Sequence, residues 1–424
     1  MIEFAINRHP SCCSGAGFSY EETEIVRRLH RQVPGFAASQ LKSLSVRAAQ
    51  LGVKALLVKD ESSRFGLNAF KGLGGIYAVF RVICRELELD PAKTTMEDLR
   101  QEPCAGRIRE MVFATTTDGN HGKGVSWAAK VFGAKAYVYM PVGTVPVRAQ
   151  AIRDAGSAEV TITDMHYDDC VAWTAQKARE NGWHLVQDTS WEGYEEIPLW
   201  IMQGYTTMYF EALEQMRAMG YEAPTHIFLQ AGVGSMAAAV AAAAMSEEHR
   251  RRANIDSADI CEQTDGHPGT AAASTEHGIF LKPVITTVES TEAACFYDSF
   301  EKGDGQPAAA HGSEQTIMAG LNCSVPCTLA WEILGKCSAG GFACADEVTC
   351  RGMRLLAHPA GTDPAIVSGE SGAVTTGLVD TLLSDPGYED IVRELHLNKD
   401  SVILLFSTEG DTDPENYRRI VRDM

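Results

Sequence analysis

Several short stretches of the chain carry side chains whose types and spacing suit chemistry. In RFGLNAFKGLGG, residues 64–75, Lys71 follows Phe70 at the start of an otherwise apolar helix. With its head in water such a lysine is an ordinary helix-start residue. In an apolar cleft its ammonium is desolvated, its pKa falls, and the amine can form a Schiff base. In LQAGVGSMAAAV, residues 229–240, a strand runs into Gly232, Val233, Gly234 and Ser235, and a helix begins at Met236. Glycines let backbone N–H groups approach an anion, and the helix dipole favours it. Position 237 is Ala, so the dinucleotide pattern G-x-G-x-x-G is incomplete, and a phosphate site is favoured over a nicotinamide site. TTTDGNHG, residues 115–122, joins an apolar strand to a helix N-terminus, another anion-friendly place, yet it contains the carboxylate of Asp118 besides Asn120. LLFSTEGDTD, residues 404–413, ends a strand in Ser407 and Thr408.

Asp188 follows a further strand, in VQDTSWEGY. An Asp there is commonly a turn or cap residue. Trp191, Gly193 and Tyr194 would give it an apolar wall, which raises a carboxylate's pKa and makes it a better acid or base. Glu370 in SGESG and Glu409 in STEGD are further acids on neighbouring loops, and His121 reads as loop packing.

The elements that must position these residues alternate. Strands are expected at ALLVKD, MVFATTT, KAYVYMP, EVTITD, WHLVQDT, HIFLQAG, VITTVES and VILLFST. Amphipathic or apolar helical stretches lie between many of them, one ending at Gly156. Such alternation means βαβ units and parallel sheets in an α/β fold. Two lobes are expected: a large one of 1–79 plus 204–424, and a small mobile one of 80–203, with the site between them at strand C-terminal ends. Residues 247–283 are polar and rich in Gly, Ala and Ser, and read as a surface insertion within the large lobe.

A chain of 424 residues is long enough for two lobes. The formal charge of −19 makes nucleic acid or an anionic membrane a poor partner. No uninterrupted apolar run approaches the ~18 residues of a membrane span, and the N-terminus lacks the features of a signal peptide. The 12 cysteines are scattered without C-x-x-C, which suits thiols of a cytoplasmic protein and leaves no metal set.

A Schiff-base lysine, a phosphate loop, an asparagine-bearing loop and a terminal hydroxyl strand, in these positions, resemble the fold type II pyridoxal-phosphate enzymes, the group of tryptophan synthase β-chain and threonine dehydratase. The resemblance implies that Lys71 carries pyridoxal 5'-phosphate covalently and Phe70 flanks it. Asn120 would meet the cofactor's phenolic oxygen. Gly232, Val233, Gly234, Ser235 and Met236 would hold its phosphate, and Ser407, or less favourably Thr408, would face the pyridine nitrogen. KDESSRFGLNAFKGLGG, ATTTDGNHGKGVSWAA, VQDTSWEGYEEIPLWIMQGYTT, TIMAGLNC, SGESGAV and STEGDTD further resemble the diaminopropionate ammonia-lyase family, from about residue 35 to the C-terminus apart from the insertion. That family implies conversion of D- or L-2,3-diaminopropionate to pyruvate and two ammonia, a homodimer, and acidic catalytic residues matching Asp118 and Asp188.

The residues suit that reaction. The β-amine of diaminopropionate is largely cationic near neutral pH, where the hydroxyl of serine or threonine is neutral. At an effective dielectric of 20, opposite charges 4 Å apart attract by ~4 kcal/mol before desolvation. A fraction of that separates diamino acid from serine by ~10-fold per 1.4 kcal/mol. Asp118 is expected to take the α-proton of the D-isomer, and Asp188 to matter more for the L-isomer. The alternatives are a serine or threonine dehydratase of the same fold, disfavoured by an acid at position 118, and a cofactor-binding protein without catalysis, which needs no base.

Overall fold

The computed structural model describes residues 1–422 apart from Cys12, Ser157 and 263–282. Its strands are β1 (Ile2–Ile6), β2 (Gln40–Ser43), β3 (Ala55–Asp60), β4 (Val112–Thr116), β5 (Lys135–Met140), β6 (Glu159–Ile162), β7 (His184–Leu185), β8 (His226–Gln230), β9 (Val284–Ser290), β10 (Ser338–Cys344) and β11 (Val402–Ser407). They form a seven-stranded sheet, β1-β10-β9-β8-β11-β3-β2, and a four-stranded sheet, β6-β5-β4-β7. Every neighbouring pair is parallel except the two edges of the large sheet, where β1 pairs with β10 and β2 with β3 antiparallel.

The central strands β3, β8, β9 and β11 are buried along their whole length. This is why they read as continuous apolar runs: helices cover both faces of a parallel sheet. Three strands were not expected. β1 and β2 are short edges with weak patterns, and β10 is SAGGFAC, whose small residues carry no strand signature although all seven are buried. The helix ending before Gly156 is Pro146–Ala155, opened by a proline in its first turn.

The expected insertion at 247–283 is corrected in its first part. Residues 247–262 continue the helix Ser235–Glu262, and 263–282 lie outside the described residues. Glu247 is 2.6 Å from Arg250 and 2.6 Å from Arg217 of the helix Glu196–Ala218, and Glu248 pairs with Arg251 and Arg252. Charge pairs at i,i+3 and i,i+4 were the helical signal that the polar composition concealed.

The helix Gly72–Glu86 places Lys71 at its N-terminal boundary. A Cβ at Gly124, in the helix Asn120–Phe132, would stand 2.9 Å from the Lys71 carbonyl oxygen, so the two backbones touch there. Upstream of Lys71 the chain is tied down by a buried network. Arg64 donates to both oxygens of Glu61 and of Glu211, and Lys59 Nζ donates to Glu211 at 2.8 Å. Removing one member of such a network costs ~3–5 kcal/mol, because the partner charge stays buried. Among the described residues no helix is long and apolar enough to cross a membrane.

Candidate active site

The C-terminal ends of β4, β8 and β11 and the segment after β7 surround one cavity. Phe70, Lys71, Asp118, Asn120, Asp188, the run Gly232 to Met236, and Thr408 all line it. Ser407 does not. Its side chain is fully buried on the other face of β11 and hydrogen-bonds the Ser368 hydroxyl at 2.7 Å. Successive residues of an extended chain point to opposite sides, so only one of the two hydroxyls can face the cavity.

Lys71 Nζ donates to Asp188 Oδ2 at 2.5 Å and lies 5.4 and 5.8 Å from the ring centroids of Phe70 and Tyr205. Burial pulls the ammonium down, but Asp188 and Tyr205 outweigh it, and the Lys71 pKa sits above its ordinary value. This corrects the expectation of a depressed lysine, which took the cleft to be apolar. Asp188 is corrected in the same way. Burial would raise it, yet His121 and Lys71 hold it at about 2. His121 Nδ1 stands 3.6 Å from Asp188, while burial pushes that ring toward its neutral form, so Lys71 carries the pairing. His121 also bonds the Val186 carbonyl through Nε2 at 2.8 Å, the packing role expected of it.

Asp118 behaves in the opposite sense. Burial raises its carboxyl to about 6; Arg148 opposes the rise, Asp188 adds to it and Lys71 opposes it. Asp118 and Asp188 thus share one cavity, the latter held ionised by a lysine and the former poised near neutrality. Environments that push two acids apart in pKa separate their possible roles.

The glycine loop follows β8 directly. Gly234 has φ +90°, and a Cβ there would stand 2.3 Å from the Phe296 ring, so glycine is required. The Ser235 hydroxyl donates to the Asp188 carbonyl at 2.7 Å, joining the loop to the acid. The helix Ser235–Glu262 starts here, and its first-turn N–H groups have no acceptor within the helix.

Gln230, the last residue of β8, was not singled out by sequence, although a polar residue at a strand's C-terminal end is a signal in such sheets. Its Nε2 donates to the Phe406 carbonyl at 2.7 Å and to Thr408 Oγ1 at 3.1 Å, while its buried Oε1 has no hydrogen-bond partner among the described residues. Thr408 Oγ1 therefore accepts from Gln230, leaving its own proton to donate. Arg148 and Lys123 also line the cavity and were unmarked in sequence, as was Tyr205 beside Lys71. Solvated helical positions would show the same residue types. Asn120 Nδ2 donates to Glu409 Oε2 at 2.6 Å.

The sequence profile of the family described as pyridoxal-phosphate dependent enzyme matches residues 34–392. The diaminopropionate ammonia-lyase of Escherichia coli (strain K12) is 44% identical over 421 residues, covering 99% of this chain and 96% of the relative. That of Salmonella typhimurium is 41% identical over 426 residues, covering 99% and 98%. This chain belongs to the diaminopropionate ammonia-lyase family. A crystal structure of the Escherichia coli member in complex with D-serine superposes with a TM-score of 0.85 at 42% identity, covering 99% of this chain and 97% of that one. The fold is accordingly that of the fold type II pyridoxal-phosphate enzymes, and the resemblance seen in the motifs extends over nearly the whole chain.

The cavity fits the cofactor of the diaminopropionate ammonia-lyases. It combines an amine at Lys71, a glycine turn opening a helix, a hydroxyl whose proton is left for donation at Thr408, and an orphaned buried acceptor at Gln230.

Proposed function

We propose that this chain converts D- and L-2,3-diaminopropionate and water to pyruvate and two ammonia, with pyridoxal 5'-phosphate as cofactor, as a cytoplasmic homodimer. The observation that carries the reading is the meeting of Lys71, Asp118 and Asp188 in one cavity with the glycine loop and Thr408. Lys71 would hold the cofactor, Phe70 would flank it, and the Gly232 to Met236 run would take its phosphate. Asn120 would meet the phenolic oxygen, and Thr408, rather than Ser407, the ring nitrogen. The bound cofactor supplies a sink for the electrons released at the substrate α-carbon.

The side chains do the rest. Asp118 attracts the β-ammonium and, once ionised, takes the α-proton of the D-isomer. Lys71, once its amine is free, would move protons beside the α-carbon. Asp188 acts through its bond to the Lys71 amine, which gives physical content to its expected weight for the L-isomer. The helices Gly72–Glu86 and Glu196–Ala218 run through both boundaries of the small lobe, residues 80–203, and would serve as its stems when it closes and excludes water.

The direct test compares substrates. Holoenzyme is expected to release pyruvate from D,L-2,3-diaminopropionate much faster than from serine. Equal or faster release from serine would make the chain a dehydratase, and none from any amino acid would leave a binding protein. The pH profile checks the base. Asp118 must lose its proton to work, and burial raises it to about 6, so kcat/KM for the D-isomer should climb through an acid limb near pH 6. A limb near 4, the ordinary carboxylate range, would exclude Asp118 as the base.

A further inference from the structure

We propose that Glu409 is the positioning residue that orients the Asn120 amide and clasps the start of its helix to the end of β11. The inference rests on the reading of Asn120 as a cofactor contact.

Glu409 is 6% exposed, and its two carboxylate oxygens serve different segments. Oε2 accepts from Asn120 Nδ2 at 2.6 Å and from the Thr412 hydroxyl at 3.4 Å, while Oε1 accepts from the Ser371 N–H at 3.1 Å. Its backbone is pinned as well. The Glu409 carbonyl accepts from the Gly369 N–H at 3.0 Å, Glu409 forms an antiparallel bridge with Ala69, and the Phe70 N–H donates to Thr408 at 3.1 Å. The carboxylate is therefore a fixed point, joined to the segment just before Lys71 and to the start of the helix Glu370–Ser384.

Asn120 is the partner that needs fixing. An amide presents donors at one end and an acceptor at the other, and a half-turn exchanges them. A carboxylate facing it accepts only, so Nδ2 must point to Glu409; the flipped amide would set Oδ1 against Oε2. Glu409 thereby decides which end of Asn120 faces the cavity. Lys123 lies one turn further along the same helix. Burial lowers its ammonium and Glu409 pulls it back up, so the acid draws two residues of that first turn. A negative group at a helix N-terminus is favoured by the dipole too.

The test uses holoenzyme variants Glu409→Gln, Glu409→Asp, Asn120→Ala and the double variant Glu409→Gln/Asn120→Ala. Glutamine keeps the shape but offers one acceptor and one NH2, so either Asn120 or Ser371 must face a donor. The readouts are the pH midpoint of the cofactor's visible absorption band, the cofactor dissociation constant by fluorescence titration, and kcat and KM separately. Glu409→Gln is expected to move the midpoint in the same direction as Asn120→Ala, by at least about half a pH unit. Its kcat should fall roughly 10-fold with KM little changed, the scale of a buried donor left facing a donor. The double variant should be no worse than Asn120→Ala alone, and Glu409→Asp should lie between Gln and wild type, which keeps the test open if the Gln variant folds poorly. A wild-type midpoint in Glu409→Gln with a shifted one in Asn120→Ala, or additive effects in the double variant, would overturn the role of Glu409. An unshifted midpoint in Asn120→Ala would overturn the Asn120 assignment, and the clasp's function with it.

Discussion

Lys71→Ala is expected to lose at least about 10³-fold in pyruvate formation from either isomer of diaminopropionate, and to melt at lower temperature as well. The catalytic loss follows from the two duties given to this amine, holding the cofactor and moving protons beside the α-carbon. The stability loss has a separate origin. Asp188 is buried with Lys71 Nζ 2.5 Å away, and the variant strands its carboxylate. Removing one partner of a buried pair costs ~3–5 kcal/mol. The sign with pH can be worked out. Asp188 sits at about 2 in the fold, below the ordinary aspartate value of 3.8, so its pairing stabilises fully above the unfolded value and is lost as pH falls through the folded one. The melting deficit of Lys71→Ala should therefore shrink as pH falls toward 2, and should begin to do so above pH 4, because without the lysine burial raises Asp188. Adding Asp188→Asn removes the stranded charge and should recover most of the melting temperature at pH 8 without recovering activity. A single variant within tenfold of wild-type activity, or a double variant that stays as unstable as the single, would sink the account.

Asp118→Asn is expected to cost about 10²- to 10⁴-fold in kcat/KM for D-diaminopropionate, the usual span for a general base, and far less for the L-isomer. Asparagine has the size of aspartate and keeps the turn before the helix Asn120–Phe132, so the loss measures chemistry rather than folding. Two effects combine on the D-isomer: the base is gone, and so is the anion that attracts the β-ammonium. The second also applies to the L-isomer, which predicts a smaller loss there, expressed mainly in KM. The acid limb near pH 6 should disappear from what D-isomer activity remains. Equal losses on both isomers would end the division of labour between Asp118 and the Lys71–Asp188 pair.

Much of the site was legible because its parts are local. A glycine turn between an apolar strand and a small-residue helix announces an anion loop wherever the rest of the chain goes. Asp118, Asn120, Lys71 and Asp188 each follow or precede an element whose period is readable. What failed was environment. Lys71 was expected to be depressed and Asp188 raised, because neither sequence neighbourhood reveals that the two meet across 117 positions. Once they pair, each reverses the other's shift. The choice between Ser407 and Thr408 stays open in the sequence for the same reason, since the strand's alternation is visible there but which face looks into the cavity is not. The helix through residues 247–262 is hidden by its polar composition and shows in sequence only through its i,i+3 and i,i+4 charge pairs.

From its sequence alone this protein's α/β class, its family resemblance and the lysine, acids, asparagine and glycine loop of its cavity were legible, since these depend on short-range period and on residue types at turns. Only the tertiary structure decided the protonation of that cavity, the hydroxyl that faces it, and the Glu409 contact to Asn120 across 289 positions. These depend on which charges and dipoles come within a few ångströms of one another, and that is set by how two sheets pack their strand ends together.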